Sequence, residues 1–414
     1  MYIRDVLDSS SGGEAGGPTS SGPIAESNNN NDTTNTNPRL DGHQLLVLTD
    51  VARFPELQPG SAWRSRVERA HPGLKIVVHD QDTWRDRTFP RDLDWARTTL
   101  LLSGAVFPTP DVAPKLEYIQ LQSAGADPIN QTPIFKETDV AVCTTNGVHG
   151  PQIAEWVIGT FLALNHQLPY FLDLQRQGKW HQGWPYKDGM QDGVKQRVGI
   201  LGYGSIGRQV ARIAKSLAMD VVAYTNHPRP TPESRRDTGY IVPGTGDPDG
   251  EFPSAWYSGT ADADVDAFLG CGLDWLVIAV PLTASTRGLI SEARLKLLSS
   301  AKENDQNPGQ GQGQAVVVKP FVTNIARGPI LDTDALIKAL DAGWIRGAAV
   351  DVTDPEPLPE GHPLWSKKNL IITPHISAMS NSLGHRIADV LELNLRRFSE
   401  GAKLVNQVSR KEGY

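Results

Sequence analysis

The stretch Val198-Gly199-Ile200-Leu201-Gly202-Tyr203-Gly204-Ser205-Ile206-Gly207-Arg208 changes its hydrophobic period at the glycines. Four mostly apolar residues read as a buried parallel strand, and Ile206, Val210, Ile213 and Ala214 then recur at helical spacing. A second apolar run, Val221-Val222-Ala223-Tyr224, follows at the distance expected of a βαβ unit. In such a unit Gly202 permits the tight turn, Gly204 lets backbone approach a pyrophosphate, and Gly207 lets helix and strand pack closely. The helix start at Ser205 and Ile206 then offers N–H groups to the anion. The stretch predicts dinucleotide binding on a parallel α/β sheet.

With 414 residues, 39% of them hydrophobic, the chain is long enough for two cores of ordinary size. A net charge of -7 argues against nucleic acid or an anionic membrane surface as the main partner. No apolar run approaches the ~20 residues that span a bilayer. The N-terminus lacks the patterns of a secretion signal and of a transit peptide, so a cytoplasmic location is expected. Cys143 and Cys271 are the two cysteines; they lack metal-ligand spacing, and no metal site is expected.

Ser9 to about Pro38 is dominated by Ser, Gly, Asn, Thr and Pro, which cannot offset the entropy of ordering, so residues 1–42 are expected to form a disordered tail. Apolar runs at Leu45–Leu48, Leu74–Val78, Thr99–Leu102, Tyr118–Leu121 and Val140–Cys143, spaced by longer segments, predict a parallel sheet. From Gln152, the positions Ile153, Trp156, Val157, Thr160, Phe161 and Leu164 mark a long helix, and a domain boundary is placed near 150. Trp180 to Gln196 reads as a polar connector. The Pro-, Gly- and Asp-rich residues 227–259 predict an irregular insertion. Strands are expected at Asp274–Val280, into Asn324 and at Gly347–Val352. Ser291 and Asp332 are placed to cap helices, Asn304–Gln314 to form a flexible loop, and Leu383–Phe398 to form a helix that ends at Gly401.

Further segments place charged residues at strand ends, where ligands bind in open α/β sheets. These are Asn324-Ile325-Ala326-Arg327-Gly328, then Asp351-Val352-Thr353-Asp354-Pro355-Glu356-Pro357-Leu358, then Thr373-Pro374-His375, preceded by Val280-Pro281-Leu282-Thr283. Together with the glycine stretch, in this order, they resemble the D-isomer-specific 2-hydroxyacid dehydrogenase family over roughly residues 43–408. The resemblance implies an α/β fold of two Rossmann-like or flavodoxin-like parallel-sheet domains. The dinucleotide-binding domain, residues 150–373, would be inserted into a substrate domain made of 43–149 and the C-terminal helix region 374–414.

It also implies a site. Arg327 would fork onto a 2-oxoacid, His375 would donate the proton, and Glu356 would hold the far ring nitrogen, fixing the tautomer and favouring the charged imidazole. The loop Gln122-Ser123-Ala124-Gly125-Ala126-Asp127 looks like the family's carboxylate loop, with Ser123, Ala124 and Gly125 at the substrate. Val280, Pro281, Ile325, Ala326 and Arg327 would border the cofactor, and Asp351 resembles the contact to the nicotinamide carboxamide. Thr225 stands where NAD-binding sites usually carry a carboxylate, and Arg229 can supply a cation to a 2'-phosphate, so NADP is preferred and NAD remains possible. Glyoxylate or hydroxypyruvate is the substrate class implied, and a homodimer through the helix after Gln152 is expected. His149 and His362 read as structural and loop residues. The same family contains transcriptional corepressors that keep the dinucleotide fold, and that regulatory role is the alternative. Two departures stand out: the insertions at 227–259 and 304–314, and Lys319-Pro320, after which the strand restarts at Phe321 or carries Pro320 in a bulge.

Overall fold

The computed structural model describes residues 40–181, 190–304, 318–411 and 413. The expected tail up to residue 39, part of the connector at 182–189 and most of the low-complexity loop, 305–317, lie outside the described residues.

The first sheet contains β1 (Gln44–Thr49), β2 (Lys75–Asp80), β3 (Leu100–Ser103), β4 (Tyr118–Leu121) and β5 (Ala141–Cys143), in the order β2-β1-β3-β4-β5. All its pairings are parallel. Every residue of β1 is buried, with Leu45 and Val47 in one core cluster and Leu46 and Leu48 in the other, as a strand covered on both faces requires.

The second sheet contains β6 (Arg197–Leu201), β7 (Asp220–Thr225), β8 (Ala255–Ser258), β9 (Trp275–Ile278), β10 (Phe321–Asn324), β11 (Gly347–Val350) and β12 (Leu370–Ile372). Its order, β12-β11-β10-β9-β6-β7-β8, reverses direction at β6 and β9, which places a switch point beside the glycine turn. β10 begins at Phe321, whose N–H bonds the Asp274 carbonyl, and Pro320 just before it contributes only its carbonyl, to the Arg346 N–H, so its missing donor is not called on. β9 and β11 stop at Ile278 and Val350, two residues before the expected ends, which frees Val280 and Asp351 for the loops above the sheet.

Residues 227–259 require a correction, because they contain regular structure. A helical turn spans Pro232–Arg235, closed by reciprocal bonds between Thr231 and Ser234, and β8 extends the sheet by pairing with β7. Buried Asp247 anchors the stretch between them: it accepts the Tyr203 hydroxyl at 2.7 Å and the Glu251 and Phe252 N–H groups. Arg208 adds bonds to the carbonyls of Asp247 and Arg235.

The C-terminal helix, Leu383–Glu400, packs Leu383, Ile387, Leu391 and Leu395 against Leu45 and Val47 of the first sheet. Asn394 lies fully buried in that contact, donating to Gln120 Oε1 and the Val405 carbonyl and accepting the Val405 N–H. Gly401, at φ 67°, ends the helix in the left-handed conformation. The second sheet is therefore inserted into the domain built on the first.

The outgoing crossing runs through Thr144–His149 into the helix Gly150–Asn165, which starts two residues earlier than Gln152. Gly147, at φ 94°, passes so close to the Tyr240 carbonyl that a Cβ there would overlap it. His149 is buried, and burial, helped by the Arg386 charge, pushes its imidazole down to about 4 from an ordinary 6.5. Unfolding restores the ordinary value, so between these limits the unfolded chain binds more protons and stability falls as pH falls. From pH 7 to pH 5, chemical denaturation should show the wild type losing about 2 kcal/mol more than His149→Gln. Equal losses in the two proteins would contradict this account of His149.

Candidate active site

Because the second sheet is parallel, the motif-bearing segments after β6, β9, β10, β11 and β12 all leave its carboxyl edge together. The glycine turn fits a dinucleotide for reasons that differ at each position. Gly202 adopts φ 105°, and a Cβ there would lie 2.6 Å from the Ala279 carbonyl and 2.8 Å from the Val280 nitrogen. Gly207 presses on the Gly202 carbonyl, where a Cβ would approach to 2.5 Å. Gly204 differs: a Cβ would meet nothing within 4 Å. The fold itself does not require glycine at 204, so the open space there suits an approaching pyrophosphate. The helix Ser205–Ser216 has no side-chain cap, and its first backbone bond runs from Arg208 N–H to the Gly204 carbonyl. The N–H groups of Ser205, Ile206 and Gly207 precede that bond and face the same space. Ser205 Oγ donates to Asn146 Oδ1 at 2.6 Å, which ties this helix start to the crossing from the first domain.

The Asn324-to-Gly328 turn is shaped by its first and last residues. Asn324 accepts the Ala326 N–H on Oδ1 and donates from Nδ2 to the Arg327 carbonyl, while the Ile325 N–H bonds the Ile278 carbonyl. A Cβ on Gly328 would overlap the Thr353 carbonyl, so this turn packs directly on the segment that carries Glu356. Val280 and Pro281 leave β9 next to the glycine turn, and the Pro281 carbonyl accepts the Thr286 hydroxyl at 2.7 Å.

Arg327 extends from this turn toward the loop after β4. Its Nη1 donates to the Ala326 carbonyl and its Nη2 lies 2.7 Å from Asp127 Oδ2. The loop carrying Ser123, Ala124 and Gly125 is thereby brought to the guanidinium: a Cβ on Gly125 would stand 2.8 Å from Arg327 Nη2. Ser123 Oγ donates to the Gly125 carbonyl and keeps that loop tight.

His375 Nδ1 lies 2.8 Å from Glu356 Oε1, with both side chains half-exposed. His375 adopts φ 56°, an uncommon conformation for a residue with a Cβ, and its N–H bonds the Asp351 and Thr373 carbonyls. The Asp351 carboxylate is tied to the loop that carries His375: Oδ1 accepts the Thr373 hydroxyl and Ile376 N–H, and Oδ2 accepts the Ser377 N–H and hydroxyl. Four donors occupy its acceptor directions, so it positions the His375 loop.

Thr225, at the end of β7, donates its hydroxyl to the His227 carbonyl at 2.8 Å. Arg229 is exposed in the following loop, where Nη1 donates to the Ser234 carbonyl. Sequence reasoning missed Asn324, Thr373 and Ser377 as organisers, although each sits inside or beside a recognised motif, and it quoted Asp127 only as part of a loop.

Burial raises both thiols, Cys143 to about 12. Among the described residues no group of His, Cys, Asp and Glu side chains could hold a metal ion, and no helix is long and apolar enough to cross a membrane.

The profile of the NAD-binding domain of D-isomer specific 2-hydroxyacid dehydrogenases matches residues 158–242 and 258–377. A glyoxylate reductase of Thermofilum pendens is 31% identical over 326 residues, covering 77% of this chain and 84% of that protein. A D-isomer specific 2-hydroxyacid dehydrogenase of Xanthobacter autotrophicus, solved in complex with NADPH and MES, has a TM-score of 0.63 at 26% identity, covering 90% of this chain and 100% of that one. An NADPH-dependent glyoxylate/hydroxypyruvate reductase of Sinorhizobium meliloti shares the fold at a TM-score of 0.65 and 22% identity, covering 90% of this chain and 100% of that one. The chain is an oxidoreductase acting on CH–OH groups with a nicotinamide cofactor, and it belongs to the D-isomer specific 2-hydroxyacid dehydrogenase family.

Proposed function

We propose that this enzyme reduces small 2-oxoacids of the glyoxylate and hydroxypyruvate class and prefers NADPH to NADH. The observation that carries the reading is the 2.8 Å contact of His375 with Glu356 on the same sheet edge from which Arg327 reaches the Gly125 loop. The bound nicotinamide supplies the hydride. Backbone N–H groups of Ala124 and Gly125 receive the substrate carboxylate, and Arg327 donates to the carboxylate and the carbonyl oxygen. Glu356 holds His375 Nδ1, which leaves Nε2 to give its proton to the oxygen as the alcohol forms and to take it back in oxidation. Closure between the two domains excludes water from the transfer.

The cofactor preference rests on the uncharged Thr225, which offers no carboxylate to repel a 2'-phosphate, and on Arg229 four residues later. The NADPH bound in the Xanthobacter relative supports the same choice. A homodimer is also proposed: the helix Leu168–Arg176, next to Gly150–Asn165, has no buried residue and exposes Leu168, Tyr170 and Leu172. Sedimentation that finds only monomer at micromolar concentration would exclude it.

In a glyoxylate assay, His375→Ala and Arg327→Ala should each lower kcat/KM by ~10²- to 10⁴-fold. Cofactor affinity, read by fluorescence titration, should stay close to wild type. A His375→Ala enzyme with near-normal kcat would remove the mechanism. Run with each cofactor, the wild type should favour NADPH, and Arg229→Ala should erode that preference by about tenfold. A wild type that favours NADH would refute the pocket as described.

A further inference from the structure

Arg327 does not meet the substrate position as a free cation. Its partner Asp127 lies 200 residues away in sequence, in the loop that follows β4, and the two charged atoms stand 2.7 Å apart. Gly125 makes room for the pair: a Cβ there would stand 2.6 Å from Asp127 Oδ2 and 2.8 Å from Arg327 Nη2. With Nη2 held by Asp127 and Nη1 by the Ala326 carbonyl, the plane of the guanidinium is fixed. Three of its N–H groups fall outside these two bonds, on Nε and on each Nη.

We propose that Asp127 determines specificity in this site: it orients Arg327 and offsets its charge, so that the cleft takes singly charged 2-oxoacids and rejects dianionic ones. The inference rests on the 2-oxoacid reading above. Asp127 pairs with Arg327 and Glu356 with His375, so each of these two basic groups faces a carboxylate, and His375 is positive only when protonated. One ligand carboxylate is matched by the loop N–H groups and the guanidinium. A second carboxylate or a phosphate on the same small ligand would meet the negative charge of Asp127, which already pairs Arg327. Coulomb repulsion scales with ligand charge, so removing the Asp127 charge helps a dianion about twice as much as a monoanion. Any loss of guanidinium orientation weakens both ligands alike, which makes their affinity ratio the informative quantity.

Oxamate and oxalate are nearly the same size and carry one and two negative charges at neutral pH. Their binding to the NADPH complex is measured by calorimetry for the wild type, Asp127→Asn and Asp127→Ser, with NADPH affinity checking that each variant is folded. The ratio of Kd for oxalate to Kd for oxamate should fall about tenfold in both variants, since part exposure screens the pair. The fall should shrink as ionic strength rises. A ratio unchanged in both variants, or a change indifferent to salt, overturns the role of Asp127. If the wild type reduces glyoxylate while the ratio is unmoved, the 2-oxoacid reading stands and only this inference fails. A wild type that binds neither anion and reduces no 2-oxoacid overturns both.

Discussion

The carboxylate of Asp351 is the interaction on which the site depends. It is 2% exposed, and an anion so deeply buried is tolerable only when hydrogen bonds replace the water it has lost. All four bonds come from residues Thr373, Ile376 and Ser377, so satisfying the charge dictates the path of that loop. His375 is caught in the middle at φ 56°, a conformation that costs a residue with a Cβ about 1–2 kcal/mol and persists because its surroundings over-determine it. The imidazole meets Glu356 only because the backbone is held in this way. A conservative change at Asp351 would thus act on the placement of His375.

The clamp extends into the connection between domains. Just beyond Ser377, the Ala378 carbonyl accepts Gln152 Nε2 from the first turn of the Gly150–Asn165 helix, and Arg386 bonds both Gln152 Oε1 and the Val148 carbonyl. The outgoing and returning crossings are therefore fastened to each other, close to the buried His149. Glycines mark the tightest approaches, and their environments separate two kinds of need. Gly202, Gly207 and Gly328 are required by protein backbone within the fold, whereas Gly204 borders open space.

The parallel sheets were legible because runs such as Leu45–Leu48 and Val221–Tyr224 carry their own period, and the glycines show where strand turns to helix. The motif residues were legible because a parallel sheet sends every strand end to one edge, whatever the loops do. Other features depended on distances that sequence does not contain. Composition hid β8, since four residues around Trp256 and Tyr257 were outweighed by the Pro, Gly and Asp surrounding them. The role of Asp351 in holding the His375 loop is not visible at its strand end, because the donors that occupy it lie 22 to 26 residues further along. Asp127 is only one residue of a loop in the sequence until the fold brings it to Arg327.

A crystal structure of the enzyme with NADPH and oxamate tests the central claim most directly, because it locates the reacting oxygen relative to the side chains. The account predicts pyrophosphate over Gly204, the oxamate carboxylate on the Ala124 and Gly125 N–H groups, and its carbonyl oxygen within hydrogen-bond reach of both His375 Nε2 and Arg327. Oxamate bound away from His375, or His375 separated from Glu356 in that complex, would contradict it.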